Sequence, residues 1–138
     1  MSGADFTLEP IGRVESSLVD LGAAPRQGDE GAPDAVIRFD ERVAPALADL
    51  HVGDDVIVLT WLDRGRRDVL AVHPRDDERS PLRGVFSTRS ADRPNPIGLH
   101  PVTVLAVDGI AVRVSGLEAI DGTPVVDLKP ALGPVADR

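Results

Sequence analysis

A stiff, polar stretch, FSTRSADRPNPIGL at positions 86–99, carries the residue types best suited to chemistry in this chain. Pro94 and Pro96 lock their own φ angles and push the residues before them toward extended backbone. The side chains of Arg93 and Asn95 therefore project from a backbone with little freedom, and pre-ordering of this kind lowers the entropy cost of gripping a ligand. Two interpretations are open here: a ligand-binding loop, or a rigid connection between two strands.

Two further segments carry weaker signals. Asp-Gly-Thr at 121–123 is typical of a tight turn, which can also present a carboxylate to a ligand. Pro-Arg-Gln at 25–27 lies within a run rich in Gly, Pro and acidic residues, 22–34, and long loops inside a compact domain are often functional. No Walker loop, Gly-x-Gly-x-x-Gly fingerprint or Ser-His-Asp order occurs, so a P-loop, a Rossmann cofactor site and a hydrolase triad are unsupported.

Composition narrows the class of protein. Cysteine is absent, which excludes disulfides and thiolate chemistry, and the three histidines His51, His73 and His100 are too scattered to suggest a metal site. The 138 residues, 42% of them hydrophobic, are enough for one domain with a real core. No apolar run approaches the length of a transmembrane helix, and the N-terminus lacks the pattern of a signal peptide. We therefore expect a cytoplasmic protein with no membrane partner.

Charge is distributed unevenly along the chain. The net charge is −8, yet the basic window of residues 64–93 holds eight arginines against five acidic residues and so carries +3. A local basic face on an acidic body can attract phosphates. The window is either a nucleic-acid contact or a solvated arginine-rich surface, and charge alone does not decide between them.

One short helix is predicted. Asp40 can cap its start, and Pro45 within it keeps it short. Val43, Leu47 and Leu50 then fall on one face, which we expect to be buried.

Short runs of β-branched residues, bounded by Gly, Asp or Pro, predict the strands. They occupy 36–39, 56–61, 69–72, 102–107, 110–115 and 125–128, and a further strand begins at 84–87. Asp108-Gly109 predicts a two-residue hairpin turn between two of these strands. Such frequent turn signals indicate an all-β fold of short strands, either a barrel or a sandwich.

At this point the residues resemble a known family. The run GVFSTRSADRPNPIGL, followed by DGTPVVDLKP, is similar to the signature of the TrmO family, also called TsaA-like or YaeB-like. The pieces PIGRVES, APRQGD and HPRDD match as well, so the resemblance extends from about Ile11 to Pro130. It implies a single TsaA-like domain over residues 1–138, a small β-barrel of mostly antiparallel strands with one short helix. It also implies a homodimer, and we expect no additional C-terminal domain.

The resemblance further implies a methyltransferase that uses S-adenosyl-L-methionine. The family methylates the exocyclic amine of threonylcarbamoyl-adenosine beside a tRNA anticodon, and the basic window would meet the anticodon stem-loop. Asn95 and Arg93 are the predicted catalytic residues, Asn95 by analogy with Asn-Pro and Asp-Pro motifs of unrelated adenine methyltransferases. The cofactor contacts of the family fall here on Pro25, Arg26, Gln27, Leu62, Asp63, Arg89, Leu99, Ile120, Asp121, Gly122 and Thr123.

The chain departs from the family pattern in places. Ala91 stands where members have a proline after Thr-Arg-Ser, and Ala131 stands in place of a tyrosine after Lys-Pro. The methyl donor is thus better supported than the methyl acceptor. Two alternatives stay open: methyl transfer to a small molecule, and a non-enzymatic S-adenosylmethionine-binding module.

Overall fold

The computed structural model describes residues 6–19, 31–74 and 77–133. The 3₁₀ helices Glu41–Leu47 and Val85–Ser87 lie between strands. All strand pairings are antiparallel. The strands are β1 (Gly12–Glu15), β2 (Ala35–Phe39), β3 (Asp55–Trp61), β4 (Ala71–Val72), β5 (Arg83–Gly84), β6 (Ile97–Asp108), β7 (Ala111–Val114) and β8 (Pro124–Pro130).

Six of these strands form a closed barrel in the order β1-β2-β7-β6-β3-β8, with β8 pairing back to β1. The closing seam is short, because only Gly12 and Arg13 pair there, with Val125 and Pro124. The longest ladder joins β3 to β6. Strands β4 and β5 pair with each other outside the barrel. The structure thus confirms the all-β prediction and favours the barrel over the sandwich.

Alternating side chains fill the barrel. Along β3 the inward positions are Val56, Val58 and Thr60, and branched side chains suit such a pleated, half-buried surface. Thr60 stands out because it is the polar side chain among the inward positions of β3. The other side chains that are completely buried include Ile37, Val112, Val114, Leu117 and Val125.

The predicted helix is confirmed, in the tighter 3₁₀ form. Asp40 caps it by accepting a hydrogen bond from the Arg42 N–H at 3.0 Å. Val43, Leu47 and Leu50 pack against the core, as their spacing predicts.

Three local predictions need correction. The strand predicted at 69–72 shortens to β4, which lies outside the barrel. The strand predicted at 84–87 is wrong, because the Thr88 N–H turns back to Val85 O (3.0 Å) and closes a 3₁₀ turn instead of continuing a ladder. The hairpin turn shifts by one residue, since Asp108 pairs with Ala111 and leaves Gly109, at φ 59°, as the first loop residue.

The connections that leave one end of the barrel carry the proline-containing stretch and the Asp-Gly-Thr segment singled out in the sequence. Connections in an antiparallel barrel alternate between its ends, so the β1–β2, β3–β6 and β7–β8 connections share one end, which we call the loop end. Backbone hydrogen bonds join the β1–β2 and β7–β8 connections. The Asp121 N–H donates to Leu18 O (2.6 Å), and the Leu117 N–H donates to Pro33 O (3.0 Å).

Candidate functional site

The proline loop, residues 91–96, packs against the segment 62–68 that leaves β3. The Leu62 N–H donates to Pro96 O (2.7 Å), and the Arg93 N–H donates to Arg66 O (2.8 Å). On the same side, the Arg66 N–H donates to a carboxylate oxygen of Asp92 at 2.8 Å. The proline-stiffened stretch is therefore held by backbone bonds rather than by its prolines alone.

Arg67 connects Asn95 to the barrel wall. Its guanidinium donates to Pro94 O (2.6 Å) and to Asn95 Oδ1 (2.9 Å). The same group lies 5.2 Å from the centroid of the Trp61 ring, within the range of a cation–π contact. Asn95 is exposed, so its amide is presented to solvent while one lone pair of its oxygen is occupied.

An apolar strip of Leu59, Trp61, Ile97 and Leu99 covers the outer face of β3 and β6. Leu59 pairs with Leu99 and Trp61 pairs with Ile97 along the ladder. Ile97 and Leu99 are each 42% exposed. Leu99, a predicted cofactor residue, thus lies on the outer surface of the barrel and not inside its mouth.

On the inner side of the same strands, Thr60 and His100 form a polar pair. Thr60 Oγ1 lies 2.8 Å from His100 Nε2, and Thr60 is completely buried. Burial, followed by the nearby positive charge of Arg89, lowers the pKa of His100 to about 4, so its imidazole is neutral at pH 7. Gly98 lies between the two side chains, and a Cβ there would collide with Thr60 Oγ1.

Arg93 and Arg89, four residues apart, have different surroundings. The partly buried Arg93 donates through Nη1 to Thr88 O (2.8 Å) and Ser90 O (3.1 Å), which ties it to the preceding turn. Arg89 is exposed, and no residue in the described ranges accepts a hydrogen bond or ion pair from it.

The predicted Asp-Gly-Thr turn forms as expected, with Gly122 at φ 84°. The Thr123 N–H and Oγ1–H both donate to Ile120 O, at 3.0 and 2.7 Å. Ile120 and Thr123 are buried, so Asp121 and Gly122 are the members that face solvent. Asp121 Oδ1 accepts from the Ser16 N–H (3.0 Å), and Oδ2 has no donor among the described residues.

The predicted site residues thus fall into two bodies at the loop end. Leu62, Asp63, Arg89, Arg93 and Asn95 belong to the β3–β6 connection, and the Asp-Gly-Thr turn packs against β1. The end of β3 joins the bodies, because Thr60 pairs with Gly98 on one side and Val125 on the other. Pro25, Arg26 and Gln27 lie outside the described residues.

Sequence reasoning missed two contacts at this end. The sequence indicates Arg67 only as part of the basic window, because its bond to Asn95 and its contact with the Trp61 ring depend on the fold. The Thr60–His100 pair had a detectable signal, since a polar residue at an inward position of a β-branched strand needs a buried partner.

Two kinds of feature are absent from the described ranges. No group of three His, Asp or Glu side chains is arranged to hold a metal ion in the described part of the chain. No helix within those ranges is both long and apolar enough to cross a bilayer.

The fold and the loop-end site define a class: a small antiparallel barrel whose candidate binding segments come from connections at one end. Residues 13–137 match the family model described as the tRNA-methyltransferase O N-terminal domain. The chain belongs to this family.

Relatives and solved structures agree with this membership. A probable S-adenosyl-L-methionine-binding protein of Archaeoglobus fulgidus is 43% identical, over 89% of this chain and 33% of its own length. A protein of the same description from Methanothermobacter thermautotrophicus is 39% identical, over 94% of this chain and 93% of its own length. The crystal structure of TrmO from Pseudomonas aeruginosa shares 29% identity at a TM-score of 0.75, covering 97% of this chain and 59% of that one. The chain thus spans a third of the first relative and about three fifths of that TrmO.

Proposed function

We propose that this chain is an S-adenosyl-L-methionine-dependent methyltransferase that acts on the exocyclic amine of threonylcarbamoyl-adenosine beside a tRNA anticodon. The observation that carries the proposal is the gathering of the proline loop, the exposed Arg89 and the Asp-Gly-Thr turn at one end of the barrel. The family description, which names a tRNA methyltransferase, supports the reaction class. The relatives named as S-adenosyl-L-methionine-binding proteins support the cofactor.

The residues present fit this cofactor. It carries a carboxylate, an ammonium, a ribose diol and an adenine edge, and each needs a partner. Arg89 is an exposed cation with no acceptor among the described residues, so it can take the carboxylate in a bidentate bond. Asp121 Oδ2 is open to the ribose hydroxyls or the ammonium, and the exposed backbone at Gly122 is open to the adenine. When bound, the cofactor supplies a methyl group already activated by its sulfonium leaving group.

The task left to the protein is alignment and exclusion of water. Holding two reactants in a near-attack geometry can lower a barrier by about 7–11 kcal/mol. An exocyclic adenine amine is a poor nucleophile, because its lone pair is delocalised into the ring. Asn95 Oδ1 has a second lone pair after the bond to Arg67, and we assign it to a proton of the incoming amine.

Arg93 acts as a positioning residue in this scheme. Its guanidinium is bonded to two carbonyl oxygens of its own connection, so it fixes the path of the backbone between Thr88 and Asn95. Arg67 orients the Asn95 amide in the same way. Both arginines thereby set the direction from which Asn95 Oδ1 accepts the hydrogen bond of the amine.

A homodimer is part of the proposal. The apolar strip is half exposed on the outer face of the barrel, and a second copy of this chain is the occupant that would bury it. The closure of the barrel leaves no free strand edge there, so the contact would be made by side chains. Sedimentation of Leu99→Asp tests this: we expect dissociation to a monomer, and a wild-type protein that is monomeric at micromolar concentration would refute the dimer.

A second candidate function is cofactor binding without methyl transfer. It is favoured by the bonds that engage Arg93 and Asn95 within the protein. It is also favoured by the names of the relatives, which describe binding alone.

Incubation with labelled cofactor and tRNA separates the candidates. Label should enter tRNA that carries threonylcarbamoyl-adenosine and not the unmodified tRNA. Cofactor binding without transfer to any tRNA would instead support the binding module.

Calorimetry tests the cofactor residues. We expect Arg89→Ala and Asp121→Ala each to weaken cofactor binding by at least about tenfold, the equivalent of one charge-assisted bond. Arg64→Ala removes another exposed arginine without an acceptor in the described ranges and is the control. Wild-type affinity in both test variants would show that the assignments are wrong.

A further inference from the structure

Phe86 is a feature that the proposed function leaves unused. Its side chain is 82% exposed on the 3₁₀ helix Val85–Ser87. Leu70 and Leu82, from backbone that borders β4 and β5, are also largely exposed. Large apolar side chains that are exposed on neighbouring stretches of backbone are typical of a contact site rather than of a solvated loop.

The ring projects from a fixed backbone. Val85, the residue before it, is buried and anchors the turn, and its N–H donates to Leu70 O at 3.0 Å. The Thr88 N–H and Oγ1–H both return to Val85 O at 3.0 Å. The ring is therefore presented with little conformational freedom to lose on binding.

The charged residues that flank Phe86 in the sequence are arginines. Arg83 and Arg89 stand three residues before and after Phe86, and no acidic residue occurs between positions 81 and 91. Both arginines are exposed and have no acceptor among the described residues. An exposed aromatic ring flanked in the sequence by arginines without an acceptor in the described ranges has the composition of a surface that stacks a base and neutralises a phosphate.

We propose that Phe86 is a stacking platform for an unpaired base in an RNA loop, with Arg83 on a neighbouring phosphate. Proteins recognise RNA loops by stacking splayed bases on aromatic side chains. The inference rests on the proposed function, because it names a contact for the RNA whose adenosine would be methylated. Arg89, three residues after Phe86 in the sequence, marks the beginning of the proposed cofactor site.

The platform is fixed relative to the proposed methylation site. Arg93 Nη1 donates to Thr88 O, and the Ser90 N–H donates to Thr88 Oγ1 at 3.2 Å. The first bond joins the turn that carries Phe86 to the proline loop that carries Asn95, and the second holds the residues between them. A base stacked on Phe86 would therefore hold the RNA loop in a set position beside Asn95.

A second copy of this chain suits the surface less well. A two-fold interface centred on Phe86 would bring Arg83 and Arg89 of both copies together, and like charges in contact oppose association.

The test uses an RNA stem-loop whose loop carries 2-aminopurine, with a fully paired RNA of the same length for comparison. Phe86→Ala should weaken binding of the stem-loop by about 5- to 150-fold and abolish the stacking signal of the 2-aminopurine, with little effect on the paired RNA. Phe86→Trp should bind as well as the wild type, whereas Phe86→Leu should not. Leu132→Ala removes an apolar side chain that is 61% exposed after β8 and is the control.

Three results would overturn the inference: equal binding by Phe86→Leu and wild type, an equal loss on both RNAs, or a change in sedimentation of Phe86→Ala that shows a contact between copies. Failure of this inference can be distinguished from failure of the proposed function. If the wild type and Phe86→Ala transfer methyl groups to tRNA equally well, the stacking platform is refuted and the proposed function stands. A Phe86-dependent stem-loop complex without methyl transfer refutes the enzyme and keeps the platform.

Discussion

At the scale of single residues, the loop end contains a neutral histidine and an oriented asparagine. His100 is kept uncharged by burial and by Arg89, and its Nε2 bonds to Thr60. Asn95 receives a bond from Arg67, which itself covers the Trp61 ring. One pair lies inside the barrel wall and the other outside it, so they can be tested separately.

Acid should destabilise the fold through His100. The unfolded imidazole takes a proton with a pKa near 6.5, whereas the folded one does so at about 4. Between these two pKa values the unfolded state therefore binds more protons than the folded state. The contribution of His100 to the free energy of unfolding is fully present above pH 6.5 and is lost as the pH falls toward 4. The loss amounts to at most about 3 kcal/mol. Urea unfolding at about pH 7 and about pH 4.5 measures this. The free energy of unfolding should fall less between the two pH values for His100→Gln than for the wild type.

The exposed His51 provides the control for this measurement. In His51→Gln the free energy of unfolding should fall between the two pH values by as much as it does in the wild type. An identical pH dependence in His100→Gln and wild type would mean that His100 titrates normally.

Asn95→Ala should separate binding from turnover. It removes the oxygen that we assign to the incoming amine, but no residue that we assign to the cofactor. A displacement of about 1 Å can cost about 10²-fold in rate, so we expect a loss of that order in single-turnover methylation with cofactor affinity unchanged. Arg67→Ala, which frees the Asn95 amide without removing it, should give an intermediate loss. Full activity in Asn95→Ala would remove Asn95 from the mechanism.

At the scale of elements, β3 and β6 position the apolar strip on their outer face and the Thr60–His100 pair on their inner face. Their ladder runs from the pair Asp55–Thr103 to the pair Trp61–Ile97. Side chains alternate along each strand, so that one set forms the apolar strip on the outer face and the other set points into the barrel interior. A one-residue slip of this register would exchange the two faces, so the ladder is what keeps Thr60 and His100 inside.

Gly98→Ala should destabilise the barrel. The new Cβ would collide with Thr60 Oγ1 and lie 2.6 Å from His100 Nε2. Overpacking of this kind typically costs about 1–3 kcal/mol, and thermal unfolding measures it. Gly84→Ala is the control, because its Cβ would meet nothing closer than Leu70 O at 3.9 Å. Equal melting temperatures for the two variants would show that the pair can move aside.

At the scale of the whole molecule, charge and topology act together. The net charge is −8, yet the β3–β6 connection carries the whole basic window and leaves the barrel at the loop end. A local positive region of this kind can attract a polyanion although the molecule as a whole is acidic. Several arginines of the window are used internally, as Arg66 is with Asp68 and Arg79 is with Asp77, which reduces the number available to phosphates.

Binding of tRNA should weaken steeply with salt, and particular arginines should set the slope. Arg83→Ala should reduce the slope of log K against log salt concentration by about one, since each neutralised phosphate contributes about that much. Lys129→Ala removes a positive charge near the end of β8, away from the loop end, and should leave the slope unchanged. Equal slopes for Arg83→Ala and wild type would place the RNA elsewhere.

Local chemistry was readable from the sequence, because it depends on neighbouring residues. The Asp40 cap, the Asp-Gly-Thr turn, most of the β-branched strands and the stiffness of the proline loop all follow from short-range sterics and hydrogen bonding. The extent of β4 and the 3₁₀ turn after Gly84 were not readable, because a bond from Val85 to Leu70 decides them. The start of β6 at Ile97 was likewise set by its partner strand.

The sequence alone determined a cysteine-free all-β chain with a family signature and an uneven charge, since these need only composition and local pattern. Tertiary structure alone decided that the barrel closes, that three connections meet at one end, and that Arg67 reaches Asn95 and Trp61. It also decided that Leu99 lies on the outside while His100 lies within. Contacts between residues distant in the chain depend on strand order and register, and those are settled by packing of the whole core rather than by any local segment.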